Sequence, residues 1–252
     1  MGTLDSRIAI VTGAGGGVGR GIATALAREG ASVAIVDINF EGAKETAAQL
    51  VALGAEALAI ECDIRESSQV DAAVASVVER FGGVNILVNN ANAGRSQVPF
   101  EEITDDDLEL TFRTGPMASI YFMRAAFPYL KQGYGRVINL RSGAEMIPLS
   151  GMGAYIAGKG AIAGLTRIAA REWGAYGITV NAIAPAVMTE AAKRYFDANP
   201  HKLAEVSQGK AIARTGDAEA DAGRAVVFLA GPDASYITGT TVSVDGGSGF
   251  FM

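Results

Sequence analysis

The chain has very few of the side chains from which metal sites and disulfides are built. It contains one cysteine, Cys62, and one histidine, His201, among 252 residues. A disulfide within the chain is therefore excluded, which fits a reducing compartment. We expect no metal site and no histidine-based catalytic triad, because the sequence has a single histidine and no cluster of Cys and His.

Clustered positive charge and long apolar runs are also missing. The 21 Lys and Arg residues are outnumbered by 27 Asp and Glu residues, which gives a net charge of -6. Nucleic acids are bound by grouped cations, so we expect no nucleic-acid partner. No apolar run could span a bilayer, and the first residues lack the basic and apolar segments of a signal peptide. The sequence predicts a cytoplasmic protein with no membrane partner.

Short apolar runs alternate with amphipathic stretches along most of the chain. Continuous apolar runs are typical of parallel strands that are covered on both faces. The predicted strands are Ile8–Val11, Ser32–Asp37, Ala57–Cys62, Ile86–Asn89, Arg136–Leu140, Thr179–Ala184 and Thr241–Val244. The predicted helices include Gly19–Glu29, Glu41–Leu53, Ser67–Phe81 and Ala154–Tyr176. This order predicts an α/β fold of the Rossmann type, with a doubly wound parallel sheet and helices on both faces.

No linker or repeat divides the chain, so we expect one dinucleotide-binding and catalytic domain over residues 1–252. The least regular stretch is 187–215, which is rich in alanine, lysine and polar residues and contains Asn199-Pro200. A long excursion near the carboxyl edge of such a sheet is a natural cover for a ligand crevice. We therefore predict a substrate lid at about 187–215.

A glycine-rich loop follows the first predicted strand directly. It reads Thr12-Gly13-Ala14-Gly15-Gly16-Gly17-Val18-Gly19, with the spacing G-x-x-x-G-x-G. Glycines allow backbone N–H groups to approach a pyrophosphate, which then lies at the N-terminus of the next helix. A plain strand-to-helix turn is the alternative, but the position between a strand and a helix favours a phosphate-binding loop.

Asp37 ends the second predicted strand, 18 residues after Gly19. A carboxylate at this place can accept hydrogen bonds from both ribose hydroxyls of an adenosine, and it would repel a 2′-phosphate. The loop carries no basic residue, Ile38 and Asn39 supply none after the strand, and Arg20 falls on the helix. The sequence favours NAD as the cofactor over NADP.

The second half of the chain carries Tyr155 and Lys159 four residues apart, with Ser142 thirteen residues before the tyrosine. Residues at i and i+4 share one helix face. A nearby ammonium and the positive charge of an oxidised nicotinamide favour phenolate, so the phenol can serve as an acid or base. Ser142 can donate a hydrogen bond to the substrate oxygen. We predict these three as the catalytic residues.

Together these motifs make the chain resemble the short-chain dehydrogenase/reductase family, from about Arg7 to Gly247. Further matching segments are Asp63, Asn89-Asn90-Ala91, Asn181-Ala182-Ile183-Ala184-Pro185, Arg214-Thr215-Gly216, Tyr236-Ile237-Thr238-Gly239 and Val244-Asp245-Gly246-Gly247. The resemblance implies that Asp63 and Ile64 hold adenine, and that Asn90 and Ala91 lie along the cofactor. It implies that Lys159 also binds the nicotinamide ribose, and that Pro185, Val187 and Thr189 lie near the carboxamide. It further implies a homotetramer, formed through the helices around Asp105–Tyr129 and Ala154–Tyr176.

The chain departs from the family pattern at several places. Asn92 stands where the family usually has glycine, Arg141 precedes the catalytic serine, and Ala186 replaces a glycine. Gly115 stands where the family has an asparagine that supports a water beside the catalytic lysine. Pro116 lacks an N–H for the carbonyl of Phe112 and so should disturb the helix. We hypothesise that this disturbance exposes backbone carbonyls or the Thr114 hydroxyl to hold the same water.

The sequence thus predicts an NAD(H)-dependent oxidoreductase that interconverts a secondary alcohol and a ketone, with Tyr155 as general acid and base. The segments 92–98, 143–153 and 187–212 should line the substrate crevice. They carry Met146, Ile147, Leu149, Met152, Tyr195 and Phe196, which favours a largely apolar substrate. Gly115 motivates an alternative, a catalytically impaired dinucleotide-binding protein with a scaffold role. A third reading is dehydration or epimerisation with the dinucleotide only bound.

Overall fold

A computed structural model of the chain describes residues 2–95, 97–148, 150–188 and 210–249. Within these residues seven strands form one parallel sheet, in the order β3-β2-β1-β4-β5-β6-β7. The strands are β1 Ile8–Thr12, β2 Ser32–Asp37, β3 Ala57–Glu61, β4 Ile86–Asn89, β5 Gly135–Leu140, β6 Ile178–Pro185 and β7 Thr241–Val244. The doubly wound parallel fold predicted from the sequence is confirmed.

Helices lie between the strands. They are α1 Gly17–Arg28, α2 Phe40–Ala52, α3 Ser67–Phe81, α4 Asp105–Phe112, α5 Ala118–Leu130, α6 Gly153–Trp173 and α7 Arg224–Ala230. π-helical segments join α4 to α5 over Arg113–Met117 and precede α7 over Ala218–Gly223. No helix among the described residues is long and apolar enough to cross a membrane.

The two faces of the sheet bury two separate apolar clusters. Val11 of β1 and Ile35 of β2 pack with α1 and α7 on one face. Their neighbours in sequence, Ile10 and Val36, pack with α3, α5 and α6 on the other. Successive residues of a strand point to opposite faces, so a strand covered on both sides is apolar throughout. This is the physical basis of the continuous apolar runs in the sequence.

Local capping sets where several helices begin and end. The Asn39 side chain accepts a hydrogen bond from the Gly42 N–H at the start of α2. Thr104 and Asp107 form a reciprocal capping box at the start of α4. Gly82 ends α3 with a φ of 91°, a left-handed conformation that glycine adopts without strain. These caps fix the directions in which the chain enters and leaves the sheet.

The predicted element ends differ from the observed ones by a few residues. α1 begins at Gly17, two residues earlier than predicted, because the last glycines of the loop already form its first turn. α6 ends at Trp173, and a separate 3-10 turn covers Gly174–Tyr176. β6 extends to Pro185, whose missing N–H costs little at a strand end.

The order of the strands determines where a ligand can bind. β1 lies between β2 and β4, and the chain leaves β1 towards one side of the sheet and β4 towards the other. Loops diverge at such a switch point and leave a crevice at the carboxyl ends of the strands. The glycine-rich loop after β1 and the segment after β4 both lie at this edge.

Candidate active site

A crevice of about 550 Å³ opens at this edge of the sheet, a volume within the usual range for ligand sites. Eight residues predicted to bind a cofactor line it: Gly13, Gly16, Asp37, Ile38, Asp63, Ile64, Asn90 and Ala91. Six residues that the sequence analysis did not assign to the cofactor also line it: Cys62, Arg65, Asn92, Ala93, Leu110 and Thr114. They follow β3 and β4 or belong to α4 and the π-helical segment, and only the fold brings these elements together.

Side chains would not fit at Gly13, Gly15 and Gly19 of the glycine-rich loop. A Cβ on Gly13 would lie 2.8 Å from the Cα of Ala91, and Gly13 has a φ of +64°. A Cβ on Gly19 would lie 2.2 Å from the Gly13 carbonyl oxygen. The loop therefore keeps its backbone exposed above the start of α1, as a pyrophosphate site requires.

Asp37 faces the same loop from the end of β2. One carboxylate oxygen accepts a hydrogen bond from the Gly15 N–H at 2.8 Å, and the other accepts one from the Asn39 N–H at 2.9 Å. A Cβ on Gly15 would lie 2.9 Å from the carboxylate, which explains why this position has no side chain. The loop and the carboxylate thus form one wall of the crevice.

The cation closest in sequence to this wall is engaged elsewhere. Arg20 donates to the Gly15 carbonyl at 2.6 Å and to the Thr46 hydroxyl at 2.9 Å, and it also contacts Glu45. Its guanidinium therefore holds the loop against α2. We expect it to contribute little to binding a second phosphate on the adenosine ribose.

Asp63 is paired with Arg65 in the same crevice. The Arg65 Nε donates to both carboxylate oxygens at 2.9 and 3.0 Å, and an Nη atom donates at 2.5 Å. The hydrogen bonds from Arg65 lower the pKa of Asp63 below its ordinary value. The carboxylate predicted to hold adenine is therefore ionised and already oriented by a cation that the sequence analysis did not single out.

Asn90 joins the ends of β1 and β4. Its side-chain amide donates to the carbonyl oxygens of Thr12 and Gly13 at 2.8 and 3.0 Å. The Thr12 hydroxyl in turn accepts hydrogen bonds from the N–H groups of Asn90 and Ala91. The Asn90 side chain thus holds the glycine-rich loop in place, in addition to lining the crevice.

The three predicted catalytic side chains meet at the carboxyl edge beyond β5. Ser142 follows β5 and caps a 3-10 turn over Gly143–Glu145, and Tyr155 and Lys159 occupy successive turns of α6. A side-chain hydrogen bond with Ser142 acts to lower the pKa of the Tyr155 phenol. The Lys159 Nζ donates to the Leu140 carbonyl at 2.9 Å and lies 5.6 Å from the centre of the Tyr155 ring.

Comparison with known proteins places this arrangement in a family. Residues 13–249 match a family model described as enoyl-(acyl carrier protein) reductase. The chain is 37% identical to 12alpha-hydroxysteroid dehydrogenase of a Clostridium species over 99% of both chains. The chain belongs to the short-chain dehydrogenase/reductase family.

Other members of the family agree in sequence and in structure. Levodione reductase of Leifsonia aquatica is 35% identical over 97% of this chain and 94% of its own length. A solved structure of a short-chain dehydrogenase/reductase from Serratia marcescens superposes with a TM-score of 0.90 at 34% identity. That comparison covers 98% of this chain and 99% of the other.

Burial dominates the ionisation of Lys159 and Tyr155, the predicted acid–base pair. It lowers the pKa of Lys159 to about 8, which the Glu145 carboxylate partly opposes. It also raises the pKa of Tyr155, with a further increase from Glu145 and an opposing contribution from the Ser142 hydrogen bond. Burial of the phenol thus opposes the phenolate in the protein by itself. The prediction that Lys159 and an oxidised nicotinamide together favour the phenolate stays a prediction.

The helix at Gly115 differs from the rest of α4 and α5. The expected disturbance at Pro116 is a π-helical turn over Arg113–Met117. The Thr114 hydroxyl accepts a hydrogen bond from the Ala93 N–H at 2.9 Å and donates to the Leu110 carbonyl at 2.8 Å. The Gly115 carbonyl accepts one from Ser119. Both groups already have protein partners, but a carbonyl oxygen can accept a second hydrogen bond, so the hypothesis of a water at this turn stays a prediction.

Two departures from the family pattern are neighbours in space: Asn92, which stands in place of a glycine, and Gly115, which stands in place of an asparagine. A Cβ on Gly115 would lie 4.0 Å from the side-chain oxygen of Asn92 and 3.9 Å from Ile162, which is three residues after Lys159 on α6. The Asn92 amide nitrogen donates to the Ala93 carbonyl. An asparagine amide therefore borders the space that a longer side chain at position 115 would enter.

The remaining predicted residues are only partly described. Pro185 ends β6, and Val187 pairs with Gly216 in a parallel bridge. Gly15, Gly17, Val18 and Gly19 lie in the loop or the first turn of α1 beside the crevice. The residues Leu149, Thr189, Tyr195, Phe196 and His201 lie outside the described residues, as does most of the predicted lid. Among the described residues, no three His, Cys, Asp or Glu side chains group as a metal site would require.

Proposed function

We propose that the protein is an NAD(H)-dependent oxidoreductase that interconverts a secondary alcohol and a ketone. The observation that carries this proposal is the grouping of Ser142, Tyr155 and Lys159 at the carboxyl edge, beside a crevice with a glycine-rich wall. The relatives compared above are named as a hydroxysteroid dehydrogenase and a levodione reductase. Both names describe chemistry at an oxygen-bearing carbon.

Each catalytic side chain has a distinct role in the proposed mechanism. The bound dinucleotide would accept or supply the hydride. In alcohol oxidation Tyr155, as phenolate, takes the hydroxyl proton of the substrate, and in ketone reduction its phenol returns that proton. Ser142 donates a hydrogen bond that orients the substrate oxygen. The Lys159 ammonium stabilises the phenolate by its positive charge.

The residues of the crevice fit a dinucleotide. The loop at Gly13, Gly15 and Gly19 has no space for side chains and presents its backbone at a helix N-terminus. Asp63 and Ile64 would hold the adenine, and Asn90 and Ala91 would lie along the cofactor. We assign Pro185, Val187 and Thr189 to the nicotinamide end because the family resemblance implies it.

Asp37 favours NAD over NADP. Its carboxylate lies on the wall of the crevice where the adenosine ribose would bind, and its charge would repel a 2′-phosphate. The two neighbouring cations are committed to other groups, since Arg20 binds the loop and Arg65 binds Asp63. No cation among the described residues of this wall remains to attract a second phosphate.

The substrate is proposed to be largely apolar. Met146 and Ile147 follow the catalytic turn and are 38% and 48% exposed. A Cβ on Gly249 would lie 3.3 Å from Ile147, so the chain near its end packs against this loop. Exposed aliphatic side chains next to the catalytic serine are suited to an alicyclic or otherwise apolar alcohol. We also propose a cytoplasmic homotetramer, the assembly implied by the family resemblance.

A panel of secondary alcohols and ketones tests the proposal, with the absorbance of reduced nicotinamide as the readout. We expect turnover with NAD or NADH and an apolar cyclic alcohol or ketone, and slower turnover with NADP or NADPH. NADH binding, measured by its fluorescence, without turnover of any substrate would favour the impaired dinucleotide-binding alternative. Dehydration or epimerisation of a substrate without net change in NADH would support the third reading.

A further inference from the structure

A buried ion pair lies directly beside the catalytic serine. Arg141, the residue before Ser142, donates from Nε to one Glu145 carboxylate oxygen at 3.1 Å and from Nη2 to the other at 2.5 Å. The two side chains are only 11% and 7% exposed. An arginine fork on a carboxylate is a directional contact, and burial protects it from solvent screening.

The pair connects the catalytic turn to the sheet. A carboxylate oxygen of Glu145 accepts a hydrogen bond from the Ser142 N–H at 3.2 Å. Arg141 donates from its other Nη atom to the Thr241 hydroxyl on β7 at 2.7 Å, and its backbone N–H donates to the Ile183 carbonyl on β6 at 2.8 Å. The turn that presents Ser142 is therefore attached to two neighbouring strands.

The two charges of the pair are not equivalent towards the catalytic side chains. The Glu145 carboxylate raises the pKa of both Tyr155 and Lys159, whereas Arg141 has its guanidinium between Glu145 and β7. The Glu145 carboxylate thus acts on Tyr155 and Lys159. The Arg141 guanidinium faces the sheet and offsets the negative charge of that carboxylate. Removing one charge should have the opposite effect to removing the other.

We propose that Arg141 and Glu145 are positioning residues for the acid–base step, which hold Ser142 against Tyr155 and balance the charge beside the phenol. This inference rests on the proposed function, because it takes Tyr155 as the group that transfers the proton. Neither residue needs to touch the substrate. Arg141 and Glu145 act through Ser142 and through the electric field at Tyr155.

Other charges on the elements packed against the start of α6 have their own partners. Asp107 of α4 pairs with Arg95, and Arg113 of the π-helical segment pairs with Glu66 and Glu109. Lys159 lies on α6 itself and donates to the Leu140 carbonyl. Glu145 is therefore the charge outside α6 that we expect to control the ionisation of Tyr155, within the part of the chain that the structure describes.

The test compares the pH profiles of kcat for alcohol oxidation by Glu145→Gln and Arg141→Met. Oxidation needs the phenolate, so the rate rises as the pH passes the apparent pKa of the Tyr155–Lys159 pair. Glu145→Gln keeps an oxygen acceptor for the Ser142 N–H and removes the negative charge, which should move this rise to lower pH by about one unit. Arg141→Met leaves the carboxylate uncompensated and should move it to higher pH.

Two further variants keep the test decisive where the lone buried carboxylate of Arg141→Met prevents folding. Arg141→Lys keeps the positive charge and should have a profile close to that of the wild type. The double variant Arg141→Met with Glu145→Gln buries no net charge, and its rise should lie between those of the wild type and Glu145→Gln. Glu56→Gln, in the distant exposed pair with Arg80, is the matched control and should leave the profile unchanged.

A second readout needs no substrate. The ultraviolet absorbance of tyrosinate, taken as the difference between each variant and the same variant with Tyr155→Phe, reports the ionisation of Tyr155 alone. We expect the Tyr155 pKa measured in this way to be lower in Glu145→Gln and higher in Arg141→Met than in the wild type. Shifts in one direction for both single variants, or no shift in Glu145→Gln, would overturn the inference. If instead Tyr155→Phe retained full turnover, the proposed function would fail, and the two failures are therefore distinguishable.

Discussion

At the scale of single residues, Asp37 decides more of the proposed function than any other side chain of the crevice. Its carboxylate contacts the glycine-rich loop and lies where an adenosine ribose would bind. Its position beside the loop could be predicted from the sequence, because a carboxylate at the end of the second strand has a fixed place in this topology. The Asp63–Arg65 pair could not, since nothing in the sequence indicates that Arg65 turns back onto Asp63.

Replacing Asp37 tests the choice of cofactor. Asp37→Asn removes the charge and keeps the size of the side chain, so the repulsion of a 2′-phosphate should fall. We expect the preference for NADH over NADPH, measured as a ratio of Kd values by fluorescence titration, to fall by about tenfold or more. Asp71→Asn, on an exposed part of α3, should leave the ratio unchanged. An unaltered ratio in Asp37→Asn would show that another group selects the cofactor.

The catalytic residues show a similar division between what the sequence predicts and what it does not. The spacing of Tyr155 and Lys159 predicts one helix face, and α6 carries them there. No sequence pattern marks Glu145. Its effect on the Tyr155 pKa depends on the fold of a short turn and on its ion pair with Arg141. The increase that burial causes in the Tyr155 pKa could not be predicted either, since burial is a property of the folded chain.

At the scale of elements, the contact between α4 and α6 positions the catalytic helix. Gly158 lies between Tyr155 and Lys159 in sequence, is buried, and would place a Cβ 2.6 Å from the Cγ2 of Thr111 on α4. Thr111 has a short, branched side chain that cannot move far. The missing side chain at Gly158 thus allows the two helices to approach closely, a requirement that the sequence pattern alone does not reveal.

Two alanine substitutions on α6 separate this packing effect from helix propensity. Gly158→Ala should lower the free energy of unfolding by about 1–3 kcal/mol, because the added methyl group pushes α6 away from α4. Gly160→Ala is the matched control: apart from its chain neighbours and the backbone of its own helix, no atom lies within 4 Å of its added Cβ, so it should raise stability by about 0.5–1 kcal/mol. Urea unfolding measures both. Stabilisation by Gly158→Ala would contradict the packing argument.

The element ends and the π-helical turn were only partly predictable. Apolar runs indicate which residues form strands, but the limits depend on hydrogen bonds to neighbouring strands, as at Thr12 and Pro185. Pro116 predicts a disturbed helix, and the structure resolves it as a π-helical turn. The sequence could not show which polar groups of this turn remain free to bind a water. The Thr114 hydroxyl, for example, accepts a hydrogen bond from the loop after β4.

At the scale of the whole molecule, the fold class follows closely from the alternation of strands and helices. Right-handed crossovers between parallel strands leave few arrangements for such a sequence. The surface is less predictable. α5 and α6 present a groove of about 140 Å³ whose lining includes the apolar Met123, Leu165, Ile168 and Trp173 and the charged Arg124 and Glu172. Ile168 is 51% exposed. An exposed apolar stripe on the helices expected to associate is consistent with the proposed tetramer.

A charge placed on this stripe tests the assembly. Ile168→Glu should reduce the mass measured by light scattering from that of a tetramer to that of a dimer or monomer, because a carboxylate would be buried without a partner. Val51→Glu replaces another exposed aliphatic residue, on α2, and should leave the tetramer intact. A monomeric wild-type protein would contradict the proposed assembly.

The central claim is that Tyr155 transfers the proton in an NAD-linked reaction at an oxygen-bearing carbon. The measurement that tests it most directly is kcat of Tyr155→Phe with the best substrate of the panel, alongside its Kd for NADH. Phenylalanine keeps the ring and removes the hydroxyl, so we predict that kcat falls by about two to four orders of magnitude while NADH binding changes little. A variant that turns over at the wild-type rate would contradict the claim.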